Sequence, residues 1–287
     1  GMGAARSCLR AGLTTYGIDL SEQARSQLQQ AGAAAVMADA RPLAETLDAV
    51  LLLVVNAAQV RRILFGEEEL ARHLKPGTAI MVSSTIAAEE ASALAAELAQ
   101  LGLPMLDAPV SGGAIKADAG EMTVMAAGAD AAFDKLAPVL DAVAGKLYRV
   151  GSEPGQGSTV KIIHQLLAGV HIAVAAEAMA LASRAGVPLD LMYDVVTHAA
   201  GNSWMFENRM PRVLTGDYQA RSAVDIFVKD LTLVADTAKA LRFPLPLAST
   251  ALNMFLGASN AGHGQEDDSA VIKIFSGIQL PGQEDQA

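Results

Sequence analysis

Two patterns of hydrophobic residues divide the chain. In the first half, short apolar runs alternate with amphipathic segments of helical period. The run over 48–55 (DAVLLLVV) is apolar throughout, which is typical of a parallel strand buried on both faces. Strands alternating with helices predict a parallel sheet covered on two sides. We predict strands over 13–19, 48–55, 77–83, 104–106, 122–127 and 147–150, and helices over 2–11, 21–31 and 87–101.

The second half shows helical periods alone, and the breaker cluster 151–157 (GSEPGQG) marks the boundary. The sequence therefore predicts an α/β domain over 1–153 and an all-helical domain over 154–287. We predict helices over 158–185, 189–199, 204–213, 224–241, 248–261 and 268–275, and a loose tail over 279–287.

The longest apolar stretch, 166–182, is slightly short for a membrane span and carries His171 and Glu177. It is rich in alanine and apolar on every side, so we predict a buried helix and no membrane partner. The helix from Ser158 onward would bury more surface than one small helical domain can cover. We therefore expect a homodimer or homotetramer through the second domain.

Composition narrows the function. The 287 residues carry a formal net charge of −10, which argues against a nucleic-acid partner. Hydrophobic residues make up 52% and charged residues 18%, so the chain is not of the disordered class. A single cysteine, Cys8, excludes an intramolecular disulfide and a multi-cysteine zinc site, and no metal site is predicted. Because the opening residues also show no secretory signal, we expect a cytoplasmic protein.

The first residues suggest a dinucleotide fingerprint. Gly1-Met2-Gly3 fails as G-x-G-x-x-G because Arg6 occupies the sixth position. If Gly1 is instead the third glycine, a helix and a strand ending at Asp19 follow at the expected spacing. This reading predicts a Rossmann-type domain with Gly1 and Met2 at the cofactor, and a first strand that precedes Gly1. Without that strand the sheet would be split.

Asp19 ends the strand in Y-G-I-D-L. A carboxylate there accepts hydrogen bonds from a ribose diol and repels a 2′-phosphate. No arginine stands at positions 20–23 to bind that phosphate. The sequence therefore favours NAD, with NADP less favoured, although a plain helix-capping or loop aspartate has the same local pattern.

Three segments resemble the β-hydroxyacid dehydrogenase family: 107–125 (DAPVSGGAIKADAGEMTVM), 155–165 (GQGSTVKIIHQ) and the K-D-L of 229–231. In the first, Ser111 offers a hydroxyl, and Gly112 and Gly113 let a ligand approach their backbone N–H groups. Together they would hold the carboxylate of a small substrate by charge-assisted hydrogen bonds. In isolation, S-G-G is more often an ordinary turn.

The second segment resembles the family's catalytic motif, which implies that Lys161 moves the hydroxyl proton during hydride transfer. A lone helical lysine is usually a solvated charge, but its apolar surroundings predict partial burial, which favours the neutral amine. We expect its glycines to let the helix start close to the cofactor. Gln165 lies four residues on, on the same helical face, where it can supply an amide. The family often has asparagine at 164 and 165, so His164 departs from the pattern: it would contact a polyhydroxy substrate, assist proton transfer or lie satisfied in the core.

The remaining candidates are weaker. The resemblance implies that Lys229 reaches the nicotinamide end of the cleft and that Asp230 orients it, although a surface pair has the same sequence. A fourth, weaker segment of resemblance comprises Val55-Asn56 and residues 84–86, which follow predicted strands at the carboxyl edge where ligands bind. Thr85 resembles the family's cofactor-contacting position, and Val55, Asn56 and Thr85 are assigned to the cofactor. Trp204 would line the substrate pocket or pack in the core.

The polar residues His164 and Gln165, with Ser222 where the family usually has phenylalanine, point away from a small apolar substrate. The strings MGAARSC, KIIHQLLAGVHIA and GNSWMFENRMP resemble the branch of the family that acts on L-threonate. This implies NAD-dependent oxidation of a four-carbon sugar acid to its 2-oxo form. Alternatives are oxidation of 3-hydroxyisobutyrate, reduction of tartronate semialdehyde, and a non-catalytic cofactor-binding protein. An imine reductase is disfavoured by Lys161 and S-G-G.

Overall fold

A computed structural model describes residues 1–67 and 69–281. The chain forms two compact units, which divide between Lys161 and Ile162. The division falls inside a long helix, later than the boundary predicted after residue 153. Of the predicted tail, 282–287 lie outside the described residues.

The first unit alternates strands and helices, and every strand and helix predicted for it is found. The strand predicted over 13–19 is limited to Tyr16–Ile18, and the one over 48–55 to Ala49–Leu52. The elements are α1 (Met2–Arg10), β1 (Tyr16–Ile18), α2 (Glu22–Gln30), β2 (Ala35–Met37), a 3₁₀ helix (Arg41–Thr46), β3 (Ala49–Leu52), α3 (Ala57–Phe65), α4 (Leu70–His73), β4 (Ala79–Val82), α5 (Ala88–Gln100), β5 (Met105–Asp107), β6 (Val110–Ser111), α6 (Gly113–Ala119), β7 (Met122–Ala127), α7 (Asp130–Val143) and β8 (Ala144–Gly151).

The strands form two sheets, which agrees with the expected split. Strands β1 and β2 pair in parallel, and β3, β4 and β5 pair in parallel in the larger sheet. The prediction of a wholly parallel sheet is wrong at β7, which runs antiparallel to β5 and β6 and parallel to β8. Only residues 112–121 separate β6 from β7. A parallel crossover needs about a dozen residues or more, so the chain returns antiparallel.

Two apolar layers cover the larger sheet. One contains Ile80 and Val82 of β4 with Leu94 and Leu98 of α5. The other includes residues of α1, β7 and α7. Strand β3 pairs with β4 alone, and of its residues only Leu52 is fully buried. Its two faces are covered as predicted, since Leu52 lies in the first layer and Ala49 and Leu51 pack against the second. The strand is only partly buried because it lies at the edge of its sheet.

The second unit is all-helical in the part that the structure describes, as predicted. Up to residue 281, where the description ends, an isolated bridge between Ala223 and Asp267 is its one β-type contact. The predicted helix over 248–261 ends earlier and continues as a π-helical turn, in which Gly262 has φ 95°. The elements, counted from the helix that crosses the boundary, are α8 (Gln156–Arg184), α9 (Leu189–Thr197), α10 (Trp204–Thr215), α11 (Val224–Ala240), α12 (Pro246–Ala258), the π turn (Ser259–His263) and a 3₁₀ helix (Asp268–Ile274).

Helix α8 is long and apolar enough to cross a membrane by length and composition, and half of its most apolar window is buried inside the protein. The buried side packs in the core of the second unit through Ile172 and Met179. The prediction of burial on every side is wrong for one face, which exposes a row of apolar side chains. That face is a surface rather than part of the core of this chain.

Candidate active site

Asp107, the last residue of β5, accepts hydrogen bonds that hold the start of α8 against the sheet. Its Oδ2 accepts hydrogen bonds from the backbone N–H groups of Gly155 and Ser158, each 2.8 Å long, and its Oδ1 accepts one from Ser158 Oγ at 2.7 Å. A carboxylate at this position meets the positive end of the helix dipole. Burial raises the pKa of the Asp107 carboxyl, and hydrogen bonds from Ser158, Gly155 and Gly157 limit that rise.

Two glycines allow this close approach. A Cβ on Gly157 would lie 2.4 Å from the Asp107 carbonyl oxygen and 2.6 Å from that of Met125. Gly155 has φ 104°, and a Cβ there would lie 2.9 Å from the Ala88 carbonyl oxygen. At Gly155 the nearest atom would be the Ser92 side-chain Oγ, at 2.6 Å, so the neighbours at both positions are atoms of the protein itself. The glycines that were expected to admit the cofactor therefore serve to seat α8 against the sheet and α5.

Lys161 lies on α8 shortly after this anchored turn and is 5% exposed. The predicted burial of this lysine is confirmed. Burying an ammonium group costs free energy unless it is paired, and a neutral amine costs less. Asp107 was not singled out by sequence reasoning. The signal available was its place at the end of a strand, directly before the P-V-S-G-G segment.

The S-G-G segment forms the turn between β6 and α6. Ser111 pairs with Thr123 of β7, while Gly112 and Gly113 have φ 127° and 69°, a region that favours glycine. Ser111 and Gly112 are half-buried and Gly113 is exposed. The backbone at these glycines is therefore within reach of a ligand.

Helix α6 packs against α1, the helix that follows Gly1. A Cβ on Gly3 would lie 2.6 Å from the Asp118 backbone nitrogen, so glycine is required for this contact. Ser7 Oγ donates a hydrogen bond to the Ala117 carbonyl oxygen at 2.9 Å. The structure thus brings the helix of the glycine fingerprint, with Met2 in its first turn, against the helix of the S-G-G segment.

Asp19 is exposed directly after β1, and its Oδ1 accepts a hydrogen bond from Ser21 N–H at 2.8 Å. Ser21 caps α2 as predicted, through a hydrogen bond from Ala24 N–H. Sequence reasoning missed Arg25, whose Nη1 donates hydrogen bonds to the carbonyl oxygens of Asp19 and Leu20. Arg25 lies two positions beyond the residues 20–23 that were considered.

The segments after β3 and β4 lie side by side, since Val54 N–H donates a hydrogen bond to Ser84 Oγ at 3.0 Å. This places Val55 and Asn56 beside the segment that holds Thr85, as predicted for one sheet edge. Val55 is exposed, while Asn56 caps α3 by accepting a hydrogen bond from Gln59 N–H at 2.9 Å. The amide of Asn56 therefore has a structural partner in addition to any ligand.

In the second unit, four predicted residues form one polar cluster. Gln165 Nε2 donates a hydrogen bond to Asp230 Oδ2 at 2.5 Å, and Gln165 Oε1 lies 2.9 Å from His164 Nδ1. Lys229 Nζ is 2.7 Å from Asp230 Oδ1. Asp230 is 2% exposed, so these two residues are not a surface pair.

Trp204 lies outside this cluster. It begins α10 and is half exposed, in a pocket of about 360 Å³. The pocket is also lined by Tyr193, Thr197, Glu207 and Asn208. Trp204 is therefore not a core residue, and a role in binding substrate stays a prediction.

Two family models match the chain. The model for the NAD-binding domain of 6-phosphogluconate dehydrogenase matches residues 1–151. The model described as NAD-binding of NADP-dependent 3-hydroxyisobutyrate dehydrogenase matches residues 155–275. These matches adjoin at the glycine-rich segment before α8.

Similar proteins are dehydrogenases. An L-threonate dehydrogenase of Escherichia coli O6:H1 is 73% identical over 98% of this chain and 93% of its own length. One of Cupriavidus necator is 55% identical over 98% of this chain and 95% of its own length. A crystal structure of a 3-hydroxyisobutyrate dehydrogenase from Salmonella typhimurium is 71% identical, covers 96% of both chains and superposes with a TM-score of 0.92.

The fold, the NAD-binding family models and the similar dehydrogenases define an NAD-dependent oxidoreductase that acts on CH–OH groups. The chain belongs to the β-hydroxyacid dehydrogenase family. Asp19 is exposed directly after β1, and its role at the ribose of NAD stays a prediction.

Proposed function

We propose that this protein oxidises L-threonate, or a closely similar polyhydroxy acid, to the 2-oxo acid with NAD, and that Lys161 is the general base. The observation that carries the proposal is the burial of Lys161 on a helix whose start is fixed by Asp107. The names of the relatives that are 73% and 55% identical support the substrate.

The proposed reaction needs three tasks from the chain. Ser111 Oγ and the N–H groups of Gly112 and Gly113 bind the substrate carboxylate. Lys161, as a neutral amine, accepts the proton of the hydroxyl group while the carbon loses a hydride, and the C–O bond becomes a carbonyl. NAD, when bound, accepts that hydride. Gln165 lies one helical turn from Lys161 and orients the reacting hydroxyl.

Lys229 is proposed to act at the nicotinamide end of the cofactor, with Asp230 holding its ammonium group. Val55, Asn56 and Thr85 are proposed to contact the cofactor at the sheet edge, with Gly1 and Met2 at its pyrophosphate. Trp204 is proposed to border the substrate pocket. These assignments rest on the family resemblance and on the placements given above.

Oxidation of 3-hydroxyisobutyrate is the second candidate, because the 71% identical crystal structure carries that name. Steady-state rates with NAD and a panel of L-threonate, 3-hydroxyisobutyrate and other hydroxy acids separate the two, with tartronate semialdehyde and NADH run in the reverse direction. We expect the highest kcat/KM for L-threonate. A higher kcat/KM for 3-hydroxyisobutyrate would overturn the substrate assignment, and binding of NADH without turnover of any acid would indicate a non-catalytic protein.

The exposed apolar face of α8 is proposed to pack against a second copy of the chain. Ile163, Leu167, Val174 and Leu181 are each more than half exposed. At about 100° per residue they fall within a narrow sector of the helix, so they form one stripe. Patches of this kind on a dehydrogenase domain mark an interface, and a symmetric dimer would bury both stripes. A dimer or tetramer is therefore expected in sedimentation at micromolar concentration.

We also propose that the protein acts in the cytoplasm on a small carboxylate. The one cysteine, Cys8, is a buried free thiol, which suits a reducing compartment. Cell fractionation with an antibody to the protein tests this, and recovery with membranes would contradict it.

A further inference from the structure

The side chain of Lys116, on α6, lies across the S-G-G turn. A Cβ on Gly112 would lie 2.7 Å from Lys116 Cβ and 2.9 Å from its Cδ, so the stem of the lysine passes directly over this glycine. Helical side chains point toward the N-terminal end of their helix, which explains why Lys116 covers a residue one turn earlier. The stem takes the place of a Cβ, and the backbone N–H of Gly112 points in a different direction.

The charged end of Lys116 is exposed. Within residues 1–67 and 69–281, its ammonium group makes no ion pair. The other acidic or basic side chain of α6, Asp118, stands about 200° further round the helix. Asp118 pairs there with Arg6 of α1 at 3.4 Å. The ammonium group of Lys116 lies two bonds beyond Cδ, so it stays close to the S-G-G turn while it remains open to solvent.

A carboxylate bound at this turn needs a positive charge that the proposed mechanism does not otherwise supply. The hydroxyl and the two N–H groups of the turn are uncharged donors, and Lys161 acts as a neutral amine. The chain carries a formal net charge of −10, and a field of that sign repels an anionic substrate. An ammonium group beside the turn opposes this repulsion, and its hydrogen bond to a carboxylate is stronger than one between neutral groups.

We propose that the ammonium group of Lys116 binds the substrate carboxylate together with the S-G-G turn, which makes Lys116 a specificity-determining residue for anionic substrates. Lysine suits this task because it carries a compact charge on a flexible stem. The inference rests on the proposed function, since it concerns the same site. The carboxylate is not the group that reacts, so loss of this contact should raise KM and leave kcat nearly unchanged.

The first test is steady-state kinetics of Lys116→Met, which keeps the apolar stem and removes the charge. We expect KM for L-threonate to rise about tenfold, the loss of one charge-assisted hydrogen bond, and Lys116→Arg to restore most of it. The matched control is Lys135→Met, which removes the same charge from an exposed position on α7. An unchanged KM in Lys116→Met, or an equal rise in the control, would overturn the inference while the proposed function stands.

The salt dependence separates a charge from lost packing. Ions screen an exposed charge, so the difference in KM between the unmodified protein and Lys116→Met should shrink as the ionic strength rises from about 0.01 to about 1 M. If the difference were the same at every ionic strength, the lysine would act through its stem, and the inference would fail.

Direct binding tests the same contact without turnover. Oxalate has carboxylates and no hydroxyl group to oxidise, so calorimetric titration of the protein with NADH bound measures carboxylate binding alone. We expect roughly tenfold weaker oxalate binding in Lys116→Met than in the unmodified protein or Lys135→Met, and equal binding of NADH by all three. Equal oxalate binding, or none to the unmodified protein, would overturn the inference. So would a loss confined to NADH, because the lysine would then act on the cofactor phosphates. If the unmodified protein oxidised no hydroxy acid, the proposed function would fail, and the oxalate titration would still decide the role of Lys116.

Discussion

Asp107 and Ser158 are joined by two hydrogen bonds, one from the serine N–H and one from its hydroxyl group, one to each oxygen of the carboxylate. Both side chains are fully buried. The pair connects the end of a central strand to the first turn of α8, and so holds that turn against the sheet. Lys161 lies three residues further along, so its position depends on this pair.

Removing the Ser158 hydroxyl should destabilise the protein. In Ser158→Ala, Asp107 Oδ1 loses its donor at 2.7 Å in a buried site, at a cost of about 1–3 kcal/mol in the free energy of unfolding. Urea denaturation measures this. Ser26→Ala, on the exposed part of α2, is the control and should change stability by less than about 0.5 kcal/mol. Equal effects in the two variants would contradict the role of the pair.

Asp107 also predicts a pH dependence. Because burial raises the pKa of this carboxyl in the folded protein, the folded state holds its proton more tightly than the unfolded state. The stability due to this group is present at low pH and is lost as the pH rises from the ordinary aspartate range through the raised value. As the pH rises over this interval, the free energy of unfolding of the unmodified protein should therefore fall relative to that of Asp107→Asn. The two proteins can also differ by an amount that does not depend on pH. If the difference in unfolding free energy between the two proteins were the same at every pH, this prediction would be contradicted.

Lys161 is expected to be required for turnover but not for cofactor binding. Lys161→Met keeps the length and apolar stem of the side chain and removes the group that moves the proton, so kcat should fall by roughly 10²- to 10⁴-fold. Binding of NADH, followed by its fluorescence, should persist. Lys239→Met, at the exposed end of α11, is the matched control. Near-normal turnover in Lys161→Met would remove this residue from the mechanism.

Asp19 should set the preference for NAD. Its replacement in Asp19→Ser removes a charge that binds the ribose diol and repels a 2′-phosphate, so KM for NAD should rise about tenfold and KM for NADP should fall. The nearby guanidinium of Arg25 should strengthen the gain with NADP. Glu22→Gln, in the exposed first turn of α2, serves as the control for charge alone. A fall in both KM values would show that Asp19 does not discriminate.

Charge on the exposed stripe of α8 should dissociate the oligomer. Leu167→Glu places a carboxylate in the middle of the stripe, where packing against a second copy would leave it buried and unpaired. Sedimentation should show a smaller species than for the unmodified protein. The control is Leu241→Glu, at an exposed leucine that follows α11. If both variants sediment like the unmodified protein, the stripe is not the interface.

The sequence predicted the parts of the fold that depend on local periodicity. Helix α8 and strand β4 were found close to their predicted bounds because long amphipathic or apolar runs have few alternatives. Strand β2, with three half-buried residues, carries no such run and was missed. The predicted direction of β7 was wrong because the hydrophobic pattern of a strand does not show whether its neighbour runs parallel or antiparallel to it.

The residues of the candidate site could be predicted where a sequence motif contains them. The hydrogen bonds that position those residues could not be predicted, because they join distant parts of the chain. Burial of Lys161 followed from its apolar neighbours in sequence. The hydrogen bonds of Asp107 to Ser158 and of Asp230 to Gln165 join residues 51 and 65 positions apart, and local sequence contains no trace of such pairings. Arg25 was missed for another reason: its side chain reaches back six residues to the Asp19 carbonyl oxygen, and the sequence does not show which way a long side chain extends.

The helical period of α8 limits where residues can be inserted into or deleted from this chain. Lys161 and Gln165 face one side of the helix, and the stripe through Leu167 and Val174 faces nearly the opposite side. Inserting or deleting one residue between Lys161 and Gln165 would turn everything beyond it by about 100°. Gln165 would then no longer share a face with Lys161, and the outer stripe would be rotated relative to Lys161 by the same angle. The number of residues between Lys161 and Gln165 is therefore fixed by the demand that both side chains share one face of the helix.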